Sequence, residues 1–302
     1  MQPGLEIGLL RVRGPDARSF LQNQLSNDLR QVSPKQGQLA GYLSPKGRLL
    51  AVVVVQQIGE DDFLLRLPAS LLPATLKRLR MFVLRSAVQL SDASAEFVTL
   101  GLLGTAATAA LASLDCMAPD TEYGTVCGPG GWLLRCPGPL PRFELTATPE
   151  ALAAWGPKLA LPTLPASAWA LAALASGTPV IAPETIDAFV PQTADLDLAG
   201  GISFTKGCYP GQEIVARVHY LGRAKQRLFF GATDTPPQPG SAVVDAAGQP
   251  AGTVMASAPL PGQGALLLAV LPLAPQSPLQ WAGGGTIHSL ARVHTDPAVA
   301  EG

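Results

Sequence analysis

One stretch holds most of the clustered chemistry in this chain: Thr205-Lys206-Gly207-Cys208-Tyr209-Pro210-Gly211-Gln212-Glu213. It combines a thiol, an ammonium, a phenol, an amide and a carboxylate. Pro210 has the fixed φ and missing N–H that suit the first position of a helix. Ile214, Val215, Val218 and Leu221 continue that helix as an apolar stripe, and Gly222 offers a stop. Cys208 would then stand just ahead of a helix N-terminus and close to Lys206 in sequence. Both settings favour the thiolate form of a cysteine, the form that attacks electrophiles and binds metals. The same residues also allow a purely structural reading. A glycine-flanked cysteine fits a tight turn, Lys206 can be solvated, and Glu213 suits the first turn of a helix through the helix dipole.

The elements that must position this stretch follow from periodicity and turn chemistry. Residues 5–12 read as a strand, and Gly14-Pro15-Asp16 opens a helix over 17–29. Its Phe20, Leu21 and Leu25 share one face, while Gln22, Asn23, Gln24, Asn27 and Asp28 make the other amide-rich, either as a solvated surface or as a wall of a ligand site. Residues 38–43 and 49–58 form a pair of strands joined by Ser44-Pro45-Lys46-Gly47. Val52 to Val55 is a β-branched run expected in a buried strand. Strands at 63–67 and 83–90 flank a helix at 71–82. A strand at 97–103, a helix at 105–114, short strands at 132–135 and 143–146, and helices at 150–159 and 166–175 follow. Trp169 on the last of these serves either as core or as a flat face for a ring-shaped ligand. Asp195 and Asp197 lack the further ligands that a metal pair needs. Strands at 242–245, 252–256, 265–271 and 286–293, separated by Gly/Pro turns, have the spacing of a small barrel.

Composition sets the frame. The chain has 302 residues, 47% hydrophobic and only 14% charged, with a net charge of −1. That charge gives no electrostatic footprint for bulk nucleic acid or anionic membrane, so direct nucleic-acid binding is not expected. Cys116, Cys127, Cys136 and Cys208 have no metal-ligand spacing, and a disulfide framework is not expected at this length. No targeting segment and no apolar run of about 20 residues is present. We expect a reduced, cytoplasmic protein. There is no P-loop, dinucleotide fingerprint or nucleophile elbow.

Lys206-Gly207-Cys208-Tyr209-Pro210-Gly211-Gln212-Glu213 resembles the K-G-C-[FY]-x-G-Q-E signature of the folate-binding YgfZ family. Phe189-Val190-Pro191-Gln192 upstream and Ile214-Val215-Ala216-Arg217 downstream agree with it. So do Gly14 to Asn27-Asp28 near the N-terminus and Pro239-Gly240 to Val254 near the C-terminus; residues 98–161 carry no matching motif. The resemblance implies an α+β fold like the T-protein of the glycine cleavage system: two antiparallel-sheet α+β units and a small C-terminal β-barrel around a central folate channel. The units are expected over residues 1–96 and 97–223, sharing segments, with the barrel over 224–302.

The resemblance further implies a tetrahydrofolate-binding accessory role for iron–sulfur proteins or their assembly factors, which supports tRNA-modifying enzymes indirectly. Cys208 would be the functional thiol, facing the channel and activated by Lys206, within a motif completed by Gly207, Tyr209, Gly211, Gln212 and Glu213. A lone thiol cannot hold a whole cluster, which usually takes four cysteines. Trp169 matches a folate-contacting tryptophan of the family, and Gln192 and Ile7 belong to the same expected site. Ile7 stands where the family has an aromatic, so one stacking face is missing. Leu50 and Ala51 stand where aminomethyltransferases carry the carboxylate that positions the folate nitrogen, which argues against that activity. A folate-dependent one-carbon transferase and a direct tRNA-modification factor are the alternatives.

Overall fold

The computed structural model describes residues 1–2, 4–112, 117–262 and 264–295; Cys116, the end of the helix expected over 105–114, and the tail 297–302 lie outside the described residues. The first sheet is built from β1 (Ile7–Arg13), β2 (Gln38–Leu43), β3 (Leu49–Gly59), β4 (Asp62–Pro68) and β5 (Gln89–Asp92), in the order β2-β3-β4-β1-β5 and antiparallel throughout. The helices α1 (Ala17–Gln22) and α2 (Leu72–Arg80) belong to this unit. Leu10 and Val12 of β1, Phe63 and Leu65 of β4, Phe20 and Leu21 of α1, and Leu76 and Leu79 of α2 are buried in one core. Leu9 and Leu64, of opposite parity on the same strands, belong to a separate cluster with Trp132 and Phe97.

The second sheet has the order β6-β9-β8-β7, from β6 (Val98–Leu103), β7 (Thr125–Gly128), β8 (Gly131–Cys136) and β9 (Arg142–Ala147). Phe143 and Leu145 of β9 pack with Leu100, Leu102 and Leu133 beneath α3 (Thr105–Ala112) and α4 (Pro149–Leu159). The intervening residues of β9, Arg142, Glu144 and Thr146, form the other face. Arg66 of β4 reaches that face: it donates to Glu144 Oε2 at 2.8 and 2.5 Å and to Thr146 Oγ1 at 2.8 Å. The two sheets are joined there by a buried ion pair. Helix α5 (Ala166–Ala175) and helix α6 (Gln212–Leu221) follow. The chain then closes a six-stranded barrel, β10-β13-β12-β11-β14-β15, from β10 (Gln226–Thr233), β11 (Ala242–Val244), β12 (Pro250–Pro259), β13 (Ala265–Pro272), β14 (Leu279–Trp281) and β15 (Thr286–Arg292). Leu228, Met255 and Leu268 of the barrel share the first core with Ile181, Phe189, Leu196 and Val215.

Two local expectations are corrected. The helix expected over 17–29 ends at Gln22. Polar side chains beyond it bond the backbone instead of letting it coil: Gln22 Oε1 accepts from Leu29 N at 2.7 Å, Asn27 Oδ1 from Asp28 N at 3.0 Å, and Asp28 Oδ1 from Arg30 N at 3.1 Å. The strand expected over 83–90 shrinks to β5, because Ser86 N bonds Val83 O at 2.8 Å in a turn that holds Leu84 at φ 41°. Strands β7, β10 and β14 carry too little alternation to be read beforehand: β7 and β14 are very short, and Gly231 interrupts β10.

Candidate functional site

The motif is held from within. Lys206 is 5% exposed, and its ammonium donates to the carbonyls of Gln22, Leu25 and Asn27 at 2.6, 2.5 and 3.0 Å. An ammonium has three N–H donors, so all of them are accounted for. The Tyr209 ring lies 5.0 Å from the same nitrogen. Burial pushes the Tyr209 phenol up to about 12, which keeps it neutral. Apart from exposed Asn23, the amide-rich segment at the end of α1 is therefore neither a solvated face nor a ligand wall. It is folded into a carbonyl cage for Lys206 and fixed by further bonds: Asn27 Nδ2 donates to Leu39 O and Gly200 O, both at 2.8 Å, and Ser26 Oγ donates to Gly201 O at 2.6 Å. The expectation that Lys206 activates Cys208 is corrected on this ground, since no donor of the ammonium is left for a thiolate.

Burial lowers the Lys206 ammonium from 10.5 to about 8, with nearby Asp28 opposing and Arg30 adding to the fall. The folded chain thus loses this proton before the unfolded chain does. Its contribution to stability rises with pH between about 8 and 10.5 and is smallest below 8. Urea unfolding on either side of this window should show the rise in the wild type and none in Lys206→Met.

Cys208 is exposed, on the extended segment ahead of α6. The helix begins at Gln212 with Gly211 as its N-cap, not at Pro210. Glu213 is an exposed first-turn carboxylate. Gly211 adopts φ 80° and lies against the turn at Ser44–Gly47, where Gly47 N bonds Ser44 O at 2.9 Å. Gln192 is buried behind α6, donating from Nε2 to Val215 O at 2.8 Å, while its carbonyl accepts from Arg227 at 2.7 Å. It clips α6 to the barrel and is not among the residues lining the cavity that holds Trp169 and Ile7, which corrects its expected place in the ligand site. Asp195 and Asp197 are drawn to cations: Asp197 Oδ1 lies 2.7 Å from Arg227, and Asp195 faces Arg227, Arg292 and His294 at 3.5, 4.0 and 3.4 Å.

A cavity of about 340 Å³ lies where the two sheets, α5 and the barrel meet. Val52 and Val54 of β3, Leu134 of β8, and Ala256 and Leu268 of the barrel give it apolar walls. Ile7 and Trp169 both line it, and Cys208 does not, so the expectation that the thiol faces the channel is also corrected. Trp169 is 9% exposed and closely packed. A Cβ at Gly101 would come within 2.6 Å of its Cε3, and the Arg142 guanidinium lies 5.2 Å from its ring centroid. Leu50 and Ala51 are not in the lining, whereas Glu144 and Glu6 are. Burial pushes up both the Cys136 thiol and the Tyr123 phenol in the wall, so both stay protonated. A second cavity of about 380 Å³ shares Tyr123, Pro137, Ser176 and Thr178 with the first, so the two adjoin, and Glu122 and His294 line it. Arg142 and Glu144 were not singled out from sequence. The available signal was the alternation Arg142-Phe143-Glu144-Leu145-Thr146 in a chain poor in charge.

The profile of the GCVT N-terminal domain family matches residues 6–126. The tRNA-modifying protein YgfZ of Edwardsiella ictaluri is 35% identical over 272 residues, covering 87% of this chain and 81% of that protein. The protein of the same name from Colwellia psychrerythraea is 30% identical over 224 residues, covering 74% and 68%. Among solved structures, the glycine cleavage system aminomethyltransferase T from Bartonella henselae aligns with a TM-score of 0.77 at 19% identity, over 95% of this chain and 84% of its own. The fold is the glycine cleavage T-protein fold, as the motif and its flanks implied. Among the described residues no helix is long and apolar enough to cross a membrane.

Proposed function

The chain belongs to the YgfZ family, and from that premise we propose that it is a cytoplasmic tetrahydrofolate-binding accessory protein for iron–sulfur proteins that supports tRNA modification, the activity in its relatives' name. The observation that carries this reading is the cavity between the sheets, α5 and the barrel, with Trp169 and Ile7 in its wall. Its size falls in the ordinary range for small-molecule sites, and its apolar walls with a few convergent polar groups suit a flat, partly polar ring. When bound, a reduced folate supplies a carrier for one-carbon units. The residues of this chain hold it, exclude water and set its orientation. Cys208 acts elsewhere, on a partner that meets the exposed motif.

Calorimetric titration with tetrahydrofolate tests the pair of roles. Wild type and Cys208→Ala should bind alike, and their stabilities should agree within about 0.5 kcal/mol because the thiol is exposed. Trp169→Ala should bind at least about tenfold more weakly, a loss of about 1.4 kcal/mol. In cells lacking the protein, Cys208→Ala should fail to restore cluster-dependent enzymes. Full rescue by that variant would sink the role of the thiol, and the absence of heat with any reduced folate would sink the cavity assignment.

A further inference from the structure

Arg142 is a buried cation of the cavity wall. It is 7% exposed and lines the cavity. Its Nη2 donates to Pro137 O at 3.0 Å, and its guanidinium lies over Trp169. Among the described residues no carboxylate comes within ion-pair reach of it, and its Nε has no hydrogen-bond partner. The neighbouring cation, Arg66, is paired with Glu144, so it leaves no acid for Arg142. An arginine cannot shed its proton to escape burial. A buried guanidinium with an open donor is costly, and such a group calls for an explanation outside packing. The alternation of β9 puts it on the same face as Glu144, away from the Phe143 and Leu145 core.

We infer that Arg142 is the specificity-determining residue of this cavity, offering the N–H donors at the end of its guanidinium to a carbonyl acceptor on the ligand. The inference rests on the folate reading and deepens it: the acceptor would be the 4-oxo oxygen of the pterin ring, whose two lone pairs can take two N–H bonds. A ring is favoured over a flexible acid tail because the guanidinium already lies over the indole. A flat group in line with it would extend that layer between the apolar walls of Val52, Leu134 and Leu268.

Four probes and two variants test this on the full chain: tetrahydrofolate, a tetrahydropterin without the tail, p-aminobenzoylglutamate without the ring, and a 2,4-diaminopteridine that carries a donor where the 4-oxo group accepts. Wild type should bind the ring alone, ignore the tail alone, and prefer the 4-oxo ring over the diamino ring by about ten- to a hundredfold. Arg142→Met should lose that preference and bind tetrahydrofolate weaker by a similar factor. Its ligand-free melting temperature should hold or rise, since a buried unpaired charge has been removed. Arg142→Lys, which keeps a charge but not the planar guanidinium over the indole, should also bind tetrahydrofolate more weakly, and it serves if the methionine variant folds poorly. Arg142-dependent binding of p-aminobenzoylglutamate would overturn the ring-edge assignment. If wild type binds reduced folates and Arg142→Met binds them equally, this inference falls while the folate reading stands. If wild type binds none, both fall.

Discussion

Replacing Lys206 with methionine is expected to cost about 3–5 kcal/mol of folding stability, read as a melting temperature lower by roughly 6–15 °C. The substitution keeps most of the apolar stem and removes the ammonium from three carbonyls at 2.6, 2.5 and 3.0 Å. Each carbonyl is then left without its partner. The desolvation that lowers the ammonium to about 8 is regained, but the loss of three charge-assisted bonds exceeds it. The segment after α1 should loosen first, because it is ordered around this nitrogen and not around an apolar core of its own. Lys35→Met, at an exposed position, should stay within about 0.5 kcal/mol of wild type. Alkylation of Cys208 separates this account from thiol activation. With Lys206 as a latch, the thiol of Lys206→Met reacts as fast as wild type or faster. A wild-type melting temperature together with a slowed thiol would show that the ammonium serves Cys208 after all.

What could be read ahead of the structure follows from where the information lies. The strand pair 38–43 and 49–58 was legible because β-branched alternation and a Ser-Pro-Lys-Gly turn are local signals, and β2 and β3 pair as those signals require. The barrel was legible as spacing, but its order β10-β13-β12-β11-β14-β15 was not, because non-local pairing leaves no mark on any single strand. The motif was found as chemistry, yet its internal roles were misread. Spacing puts Lys206 near Cys208, while the fold turns Lys206 into a cage from a segment 179 to 184 residues away in sequence. Polarity is ambiguous in the same way. Gln22, Asn27 and Asp28 look like surface, and are partly or fully buried because they bond backbone. Trp169 and Ile7, singled out by the resemblance, both line the cavity. Arg66, Arg142 and Glu144 come from strands of two different sheets, and only the packing of those sheets brings them together.

Two sites result, with different physical demands. The cavity is lined by buried charge, so its ligand must satisfy groups largely withdrawn from water. The motif presents an exposed thiol on a segment fixed at both ends, by Lys206 in its cage and by Gly211 on the turn at Ser44–Gly47. That turn continues into β3, whose Val52 and Val54 wall the cavity. Strand β3 therefore links the seat of the motif to the ligand site through one rigid element, without placing the thiol in the cavity.

The two glycines of the motif should respond oppositely to alanine. Gly211 has φ 80°, and a Cβ there would stand 2.6 Å from Ser44 O, 2.7 Å from Gly47 Cα and 2.9 Å from Gly47 N. All three contacts are backbone atoms of a tight turn, so no side chain can swing aside. The left-handed conformation costs about 1 kcal/mol for a non-glycine residue, and forcing the turn and α6 apart adds roughly 1–3 more. Gly211→Ala should thus lose about 2–4 kcal/mol and expose the segment that carries Cys208 to proteolysis. A Cβ at Gly207 would meet nothing within 4 Å, and its φ lies outside the left-handed range. Packing does not require glycine there, and Gly207→Ala should keep its stability within about 0.5 kcal/mol. If Gly207→Ala nevertheless fails to restore cluster-dependent enzymes, its glycine keeps the flank of the Cys208 thiol bare for a partner. If Gly211→Ala melts with wild type, the turn at Ser44–Gly47 is not the seat of α6, and the presentation of the thiol must be explained from the Lys206 cage alone.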